Sequence, residues 1–172
     1  MRENHILIID DDLMLLKTAE EILSVQYNVS VAKSGIQALN LLNKNIIPDL
    51  ILLDIDMPQM DGYETLEEIK KIPRCELIPI IFLTGFSEMD YEVRGLKAGA
   101  VDYIVKPFAK EILLARVERH LERYQQRQHK KSMELSDYAK QIKSQLTPTE
   151  WKIAIAIAEG MENKEIAESM HY

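Results

Sequence analysis

The chain has 172 residues, enough for one ordinary domain and a smaller addition, and 47% of them are apolar, so a sizeable core can be buried. Its single cysteine, Cys75, excludes an internal disulfide, and it has neither a membrane-length apolar run nor a basic-then-apolar leader, which predicts a soluble cytoplasmic protein with no membrane partner. The net charge of −7 is uneven: residues 1–109 carry −8, 110–146 carry +4 and 147–172 carry −3, which argues against nucleic acid on the first block; the basic middle block is expected to be a solvated helix face in preference to a DNA-contacting patch.

The chain opens with a strand pattern over 5–9, and the acidic triplet Asp10-Asp11-Asp12 follows it. An amphipathic helix is predicted over 12–25 and a second strand over 27–32. Ser34-Gly35 then opens a helix over 35–45. Pro48-Asp49 precedes the third strand, 50–53, which runs into Asp54 and Asp56. A helix over 61–71, a strand over 78–83 and a helix over 88–98 closed by Gly99 come next, and a strand over 101–105 leads to Lys106. Alternating strand and helix implies βαβ units and a parallel sheet covered on both faces. Strands three to five are near-continuous apolar runs, as central buried strands should be.

From Ala109 to Leu146 there is no Gly and no Pro. Leu114, Val117, Leu121, Tyr124, Leu135, Tyr138 and Ile142 fall at heptad spacing, with Gln128 and Lys131 in the same seam. The pattern predicts one helix of about 37 residues, roughly 55 Å long. Its seam suits a helix partner, such as a parallel homodimer; the alternative is three turns packed on the sheet followed by a plain linker, with a break near 128–132. Thr147-Pro148-Thr149-Glu150 then supplies an N-cap, a first-turn proline and a capping box, and Gly160 ends that helix. Asn163 caps a second helix over 164–170, and the pair fits a helix-turn-helix.

In an open parallel sheet, chemistry gathers beyond the carboxyl ends of the strands. There Asp10, Asp11 and Asp54 would meet Lys106, and Thr84, at the end of the fourth strand, would offer a hydroxyl. Crowded carboxylates repel, and a bound dication such as Mg2+ or Mn2+ relieves that repulsion through oxygen ligands. An Asp carboxylate can also act as a nucleophile toward phosphorus, giving an aspartyl-phosphate whose charge a metal and a lysine neutralise.

Ile8-Ile9-Asp10-Asp11, the run Leu53 to Gly62, Leu83-Thr84-Gly85 and the run Gly99 to Phe108 resemble the receiver domain of bacterial two-component response regulators over residues 5–123. The resemblance implies a flavodoxin-like doubly wound five-stranded sheet of order 2-1-3-4-5. It implies that Asp54 accepts a phosphoryl group from a sensor histidine kinase. Asp11 would bind the metal directly and Asp10 through water, with Asp54 and the backbone carbonyl of Asp56 completing the protein ligands. Lys106 would pair with phosphoryl oxygens, Thr84 and Tyr103 would move as switch residues, and the Lys106–Pro107 bond is often cis. Asp56 and Phe86 would tune the lifetime of the phosphorylated state. Asp12 aligns with no ligand and is expected to start the first helix. The output face would span 88–123, with dimerisation there or along helix 109–146.

Leu146-Thr147-Pro148-Thr149-Glu150 and the run Ala158 to Ala167 resemble the start of a LuxR/GerE-type helix-turn-helix, departing at Trp151-Lys152-Ile153. In that family the DNA-reading helix follows, so the resemblance implies a truncated transcription factor, the alternative being a chain that has lost DNA binding, with 1–123 as receiver, 124–146 as linker and 147–172 as a partial output domain that binds DNA only when complete. Two other readings are a receiver acting through protein contacts alone and a haloacid-dehalogenase-type phosphatase, whose Asp-x-Asp motif Asp54-Ile55-Asp56 imitates. Against the phosphatase, Met57-Pro58 departs from its pattern and the acidic pair lies upstream. The chain is therefore expected to be a phosphoacceptor and not a turnover enzyme. His5, His120, His129 and His171 lack ligand spacing and read as ordinary.

Overall fold

A computed structural model describes residues 4–85 and 99–158. The expected helix 88–98, Phe86, Gly160 and the helix 164–170 lie outside the described residues. The chain divides into two compact units, Met1–Gln125 and Gln126–Tyr172.

The first unit is a five-stranded parallel sheet. Its strands are β1 (His5–Ile9), β2 (Asn28–Ala32), β3 (Leu50–Asp54), β4 (Ile80–Thr84) and β5 (Asp102–Val105). They lie in the order β2-β1-β3-β4-β5, the doubly wound arrangement predicted. Every residue of β3 and β4 is buried, as a strand covered by helices on both faces requires. The fifth strand departs from the expectation of a central strand. It forms the sheet's edge, and its burial alternates, with Asp102 and Ile104 inside and Tyr103 and Val105 half-buried.

Among the described residues, three helices connect the strands: α1 (Leu13–Leu23), α2 (Gly35–Asn43) and α3 (Gly62–Lys71). Each starts at a side-chain cap that satisfies orphan backbone N–H groups. Asp12 accepts from the N–H of Met14 at 2.8 Å, and Ser34 from that of Gln37 at 3.2 Å. Asp61 and Glu64 form a reciprocal capping box on α3. One face of the sheet packs Leu7, Ile9, Ile51, Leu53 and Phe82 against α2 and α3. The other packs Ile6, Ile8, Leu52, Ile81 and Leu83 against Leu16 and Leu23 of α1 and Leu113, Val117 and Leu121 further on.

Those last three belong to α4 (Lys110–Gln145), one unbroken helix without the break weighed near 128–132. Val117 and Leu121, read above as seam positions, are fully used in the sheet's core together with Leu113. The first turns of the helix therefore pack on the sheet. In the second unit α5 (Pro148–Ala158) begins where Thr147 accepts from the N–H of Glu150 and donates to its carboxylate, the capping box predicted. Among the described residues, no helix is long and apolar enough to cross a membrane.

Candidate functional site

Strand ends create the site. Asp10 directly follows β1, Asp54 is the last residue of β3, Thr84 is the last of β4, and Lys106 follows β5. The parallel registers align these ends at one rim of the sheet, with Asp54 paired to Leu83 and Thr84 to Val105. Main-chain bonds tie the rim together: Lys106 N–H donates to the Thr84 carbonyl at 2.7 Å, and Ile55 N–H to that of Leu83 at 3.2 Å. The Lys106–Pro107 peptide bond is cis.

The side chains then converge. Carboxylate oxygens of Asp10, Asp11 and Asp54 lie within 4.8 Å of one another. The Lys106 ammonium is 2.6 Å from both Asp10 Oδ2 and Asp54 Oδ1. The second oxygen of Asp10 accepts the N–H of Asp12 at 2.9 Å. Asp10 and Asp54 are buried, whereas Asp11 is exposed, so the cluster opens to solvent on the Asp11 side. Asp12 caps α1, the helix start expected of it. Asp56 is exposed in the loop after β3, Thr84 is buried, and Tyr103 is half-buried on β5.

One ammonium shared between two carboxylates leaves the site short of positive charge. Burial pushes the Asp54 carboxyl above its ordinary value; Lys106 pulls it down, but Asp10 and Asp11 add repulsion and the net shift is upward. Burial alone would lower the Lys106 ammonium, yet its bonds to Asp10 and Asp54 outweigh burial and raise it. Both partners of the pair thus move upward: Lys106 gains from two anions, while burial first and the two neighbouring carboxylates second disfavour the charged form of Asp54. Three carboxylates and one ammonium sum to −2, which a divalent cation balances, and hard carboxylate oxygens open to water suit Mg2+ or Mn2+.

The loop after β3 is shaped by its main chain. Gly62 N–H donates to the Ile55 carbonyl at 2.8 Å, and Gln59 adopts a left-handed φ of 69° at the loop's turn. A Cβ at Gly62 would collide with the Asp54 carbonyl oxygen, so α3 can start this close to the acidic cluster only at a glycine.

A second ionic cluster was not foreseen from the sequence. Asp102, 7% exposed, accepts from Arg116 at 2.5 Å, from Arg119 at 2.7 Å and from His120 at 2.9 Å. His120 is buried and is a structural partner of the Asp102 carboxylate. The available signal was a lone Asp in an apolar strand, followed by Arg116, Arg119 and His120 one helical turn apart.

Residues 6–118 match the family model described as "Response regulator receiver domain". The "Probable transcriptional regulator ycf29" of Porphyra purpurea is 34% identical over 172 residues, covering 95% of this chain and 78% of that protein. The "Probable cyclic di-GMP phosphodiesterase" of Vibrio cholerae is 44% identical over 117 residues, which are 68% of this chain and 26% of that protein. Several further curated relatives are spanned over about half their length, 46% to 51%. Among solved structures, a CheY-like receiver domain protein of Methanospirillum hungatei superposes with a TM-score of 0.67 at 31% identity, covering 73% of this chain and 99% of that one.

Proposed function

Since the chain belongs to the response regulator receiver family, we propose that it is a phosphorylatable switch in which Asp54 accepts a phosphoryl group from a sensor histidine kinase. The observation that carries this reading is the shared Lys106: its ammonium lies 2.6 Å from both Asp10 and Asp54, within a three-carboxylate cluster. An Asp54 oxygen attacks the phosphorus of phosphohistidine. The phosphorus–nitrogen bond breaks, its electrons leave with the imidazole, which takes up a proton, and an acyl phosphate remains on Asp54. Asp10, Asp11, Asp54 and the Asp56 carbonyl would hold Mg2+ or Mn2+, which supplies charge neutralisation to the phosphoryl oxygens when bound. Lys106 neutralises the remainder. Thr84, at the adjacent strand end, bonds the phosphoryl group, and Tyr103 shifts with it.

The new group adds almost two negative charges and favours a conformation that is otherwise minor. The output in this reading is transcriptional. The similarity to ycf29 runs over 95% of the chain and so continues past the receiver, into the segment whose capped α5 resembles a LuxR/GerE helix-turn-helix. The phosphodiesterase relative shares only 68% of this chain, so its named activity is not carried over. Regulation of DNA binding would pass through a homodimer formed along helix 109–146 or the 88–123 face.

Asp54→Asn should abolish labelling by acetyl phosphate or by a phosphorylated kinase. Measured as an acid-labile, hydroxylamine-sensitive adduct, undiminished labelling of this variant would remove Asp54 from its role.

A further inference from the structure

The edge strand β5 carries a closed circuit of contacts around one aromatic ring. Asp102 Oδ1 accepts the N–H of Tyr103 at 2.9 Å and bonds the Arg116 guanidinium at 2.5 Å. The same guanidinium lies over the Tyr103 ring, its carbon 5.7 Å from the ring centroid. Asp102 and Tyr103 are neighbours on a strand and face opposite sides of the sheet. Tyr103 packs with the Phe82 side, whereas α4 packs with the Ile104 side. Arg116 therefore reaches from α4 around the sheet's edge to the far ring. Its anchor is fixed, because the other oxygen of Asp102 is engaged by Arg119 and His120.

The β4–β5 register connects this circuit to the site. Phe82 pairs with Tyr103 and Thr84 with Val105, so Thr84 and Tyr103 stand diagonally on one face of the sheet. On the proposed reading Thr84 and Tyr103 move together, and a ring that leaves its present place loses the stack with Arg116.

We propose that Arg116 is a positioning residue that holds the Tyr103 ring in its present place and so sets how readily the phosphoryl site fills. This rests on the phosphoacceptor reading of Asp54 and adds its regulation. A cation stacked on an aromatic ring favours the conformation that keeps the stack, and removing it shifts the population toward the alternative. The planar guanidinium suits both the carboxylate and the ring face, and lysine keeps only the charge.

The test is calorimetric titration of the full chain with beryllofluoride and Mg2+. Arg116→Ala should bind about two- to five-fold more tightly than wild type, and Arg116→Lys should show a smaller gain. In a Tyr103→Ala background the gain should vanish, which a merely structural role for Arg116 would not produce. Unchanged or weaker binding by Arg116→Ala overturns the proposal, as does an equal gain without the Tyr103 ring. Thermal unfolding checks that each variant folds; if Arg116→Ala does not, unchanged affinity in Arg116→Lys overturns it instead. Failure of wild type to bind beryllofluoride overturns the phosphoacceptor reading and this inference together, whereas normal wild-type binding with no gain in the variants overturns the role of Arg116 alone.

Discussion

A methyl group at position 62 would meet the Asp54 carbonyl oxygen and sit 2.7 Å from the Ile55 Cα, both backbone atoms that cannot rotate aside. Relief requires α3 or the end of β3 to move, and the end of β3 carries the Asp54 carboxylate. Gly62→Ala should therefore cost about 1–3 kcal/mol of stability by overpacking. It should also slow acetyl phosphate labelling without removing the Asp54 carboxylate. Urea unfolding and the labelling rate measure the two effects separately. A stability loss with an unaltered rate would mean that α3 yields and β3 does not.

At the scale of elements, β5 and α4 are joined by the ionised Asp102. Burial opposes that ionisation, but the bonds from His120 and Tyr103 and the charge of Arg116 hold the carboxyl below its ordinary value. The folded chain thus binds this proton more weakly than the unfolded chain. Its contribution is present above the unfolded pKa of about 4 and is lost as the pH falls through the lower folded value. Asp102→Asn should reduce stability at pH 7 by about 2 kcal/mol. It should also flatten the stability curve below about pH 4, which urea unfolding at pH 7 and pH 3 would reveal. The same cluster was not legible in the sequence. Periodicity located β3 and β4 because burial on both faces demands unbroken apolar runs, and Asp12 and Thr147 announced their caps locally. Nothing local tells that Asp102 faces α4, since that depends on β5 being an edge strand and on the phase of a helix that follows it in the chain. The same phase decided Val117 and Leu121. A heptad stripe fits a partner helix and a sheet equally well, and only packing with Leu113 resolves it.

For the whole molecule, the acidic cluster was legible because four strand ends of a parallel sheet share one rim, so residues 96 apart in sequence, Asp10 and Lys106, come into contact. Assembly beyond one chain was not, because the seam past residue 125 belongs to the second unit and its polar positions Gln128 and Lys131 weaken any pairing. On the proposed reading, filling the phosphoryl site supplies what the seam lacks. Sedimentation velocity should give a larger species with beryllofluoride and Mg2+ than without them. Asp54→Asn should remain at the smaller species in both conditions. A size independent of beryllofluoride would separate phosphoacceptance from assembly.

The main-chain bond from Gly62 to Ile55 closes the loop after β3 at its base, and the buried Met57 side chain fastens that loop to the core. Asp56 and Gln59 project from that loop into solvent. The Asp56 side chain can be exchanged while Asp54 stays anchored by β3 and the loop closure, whereas Gln59, with its left-handed φ of 69°, admits only residues that tolerate that backbone. On the proposed reading, the timing of a signal can be altered at the loop's surface while the place where it is received stays fixed.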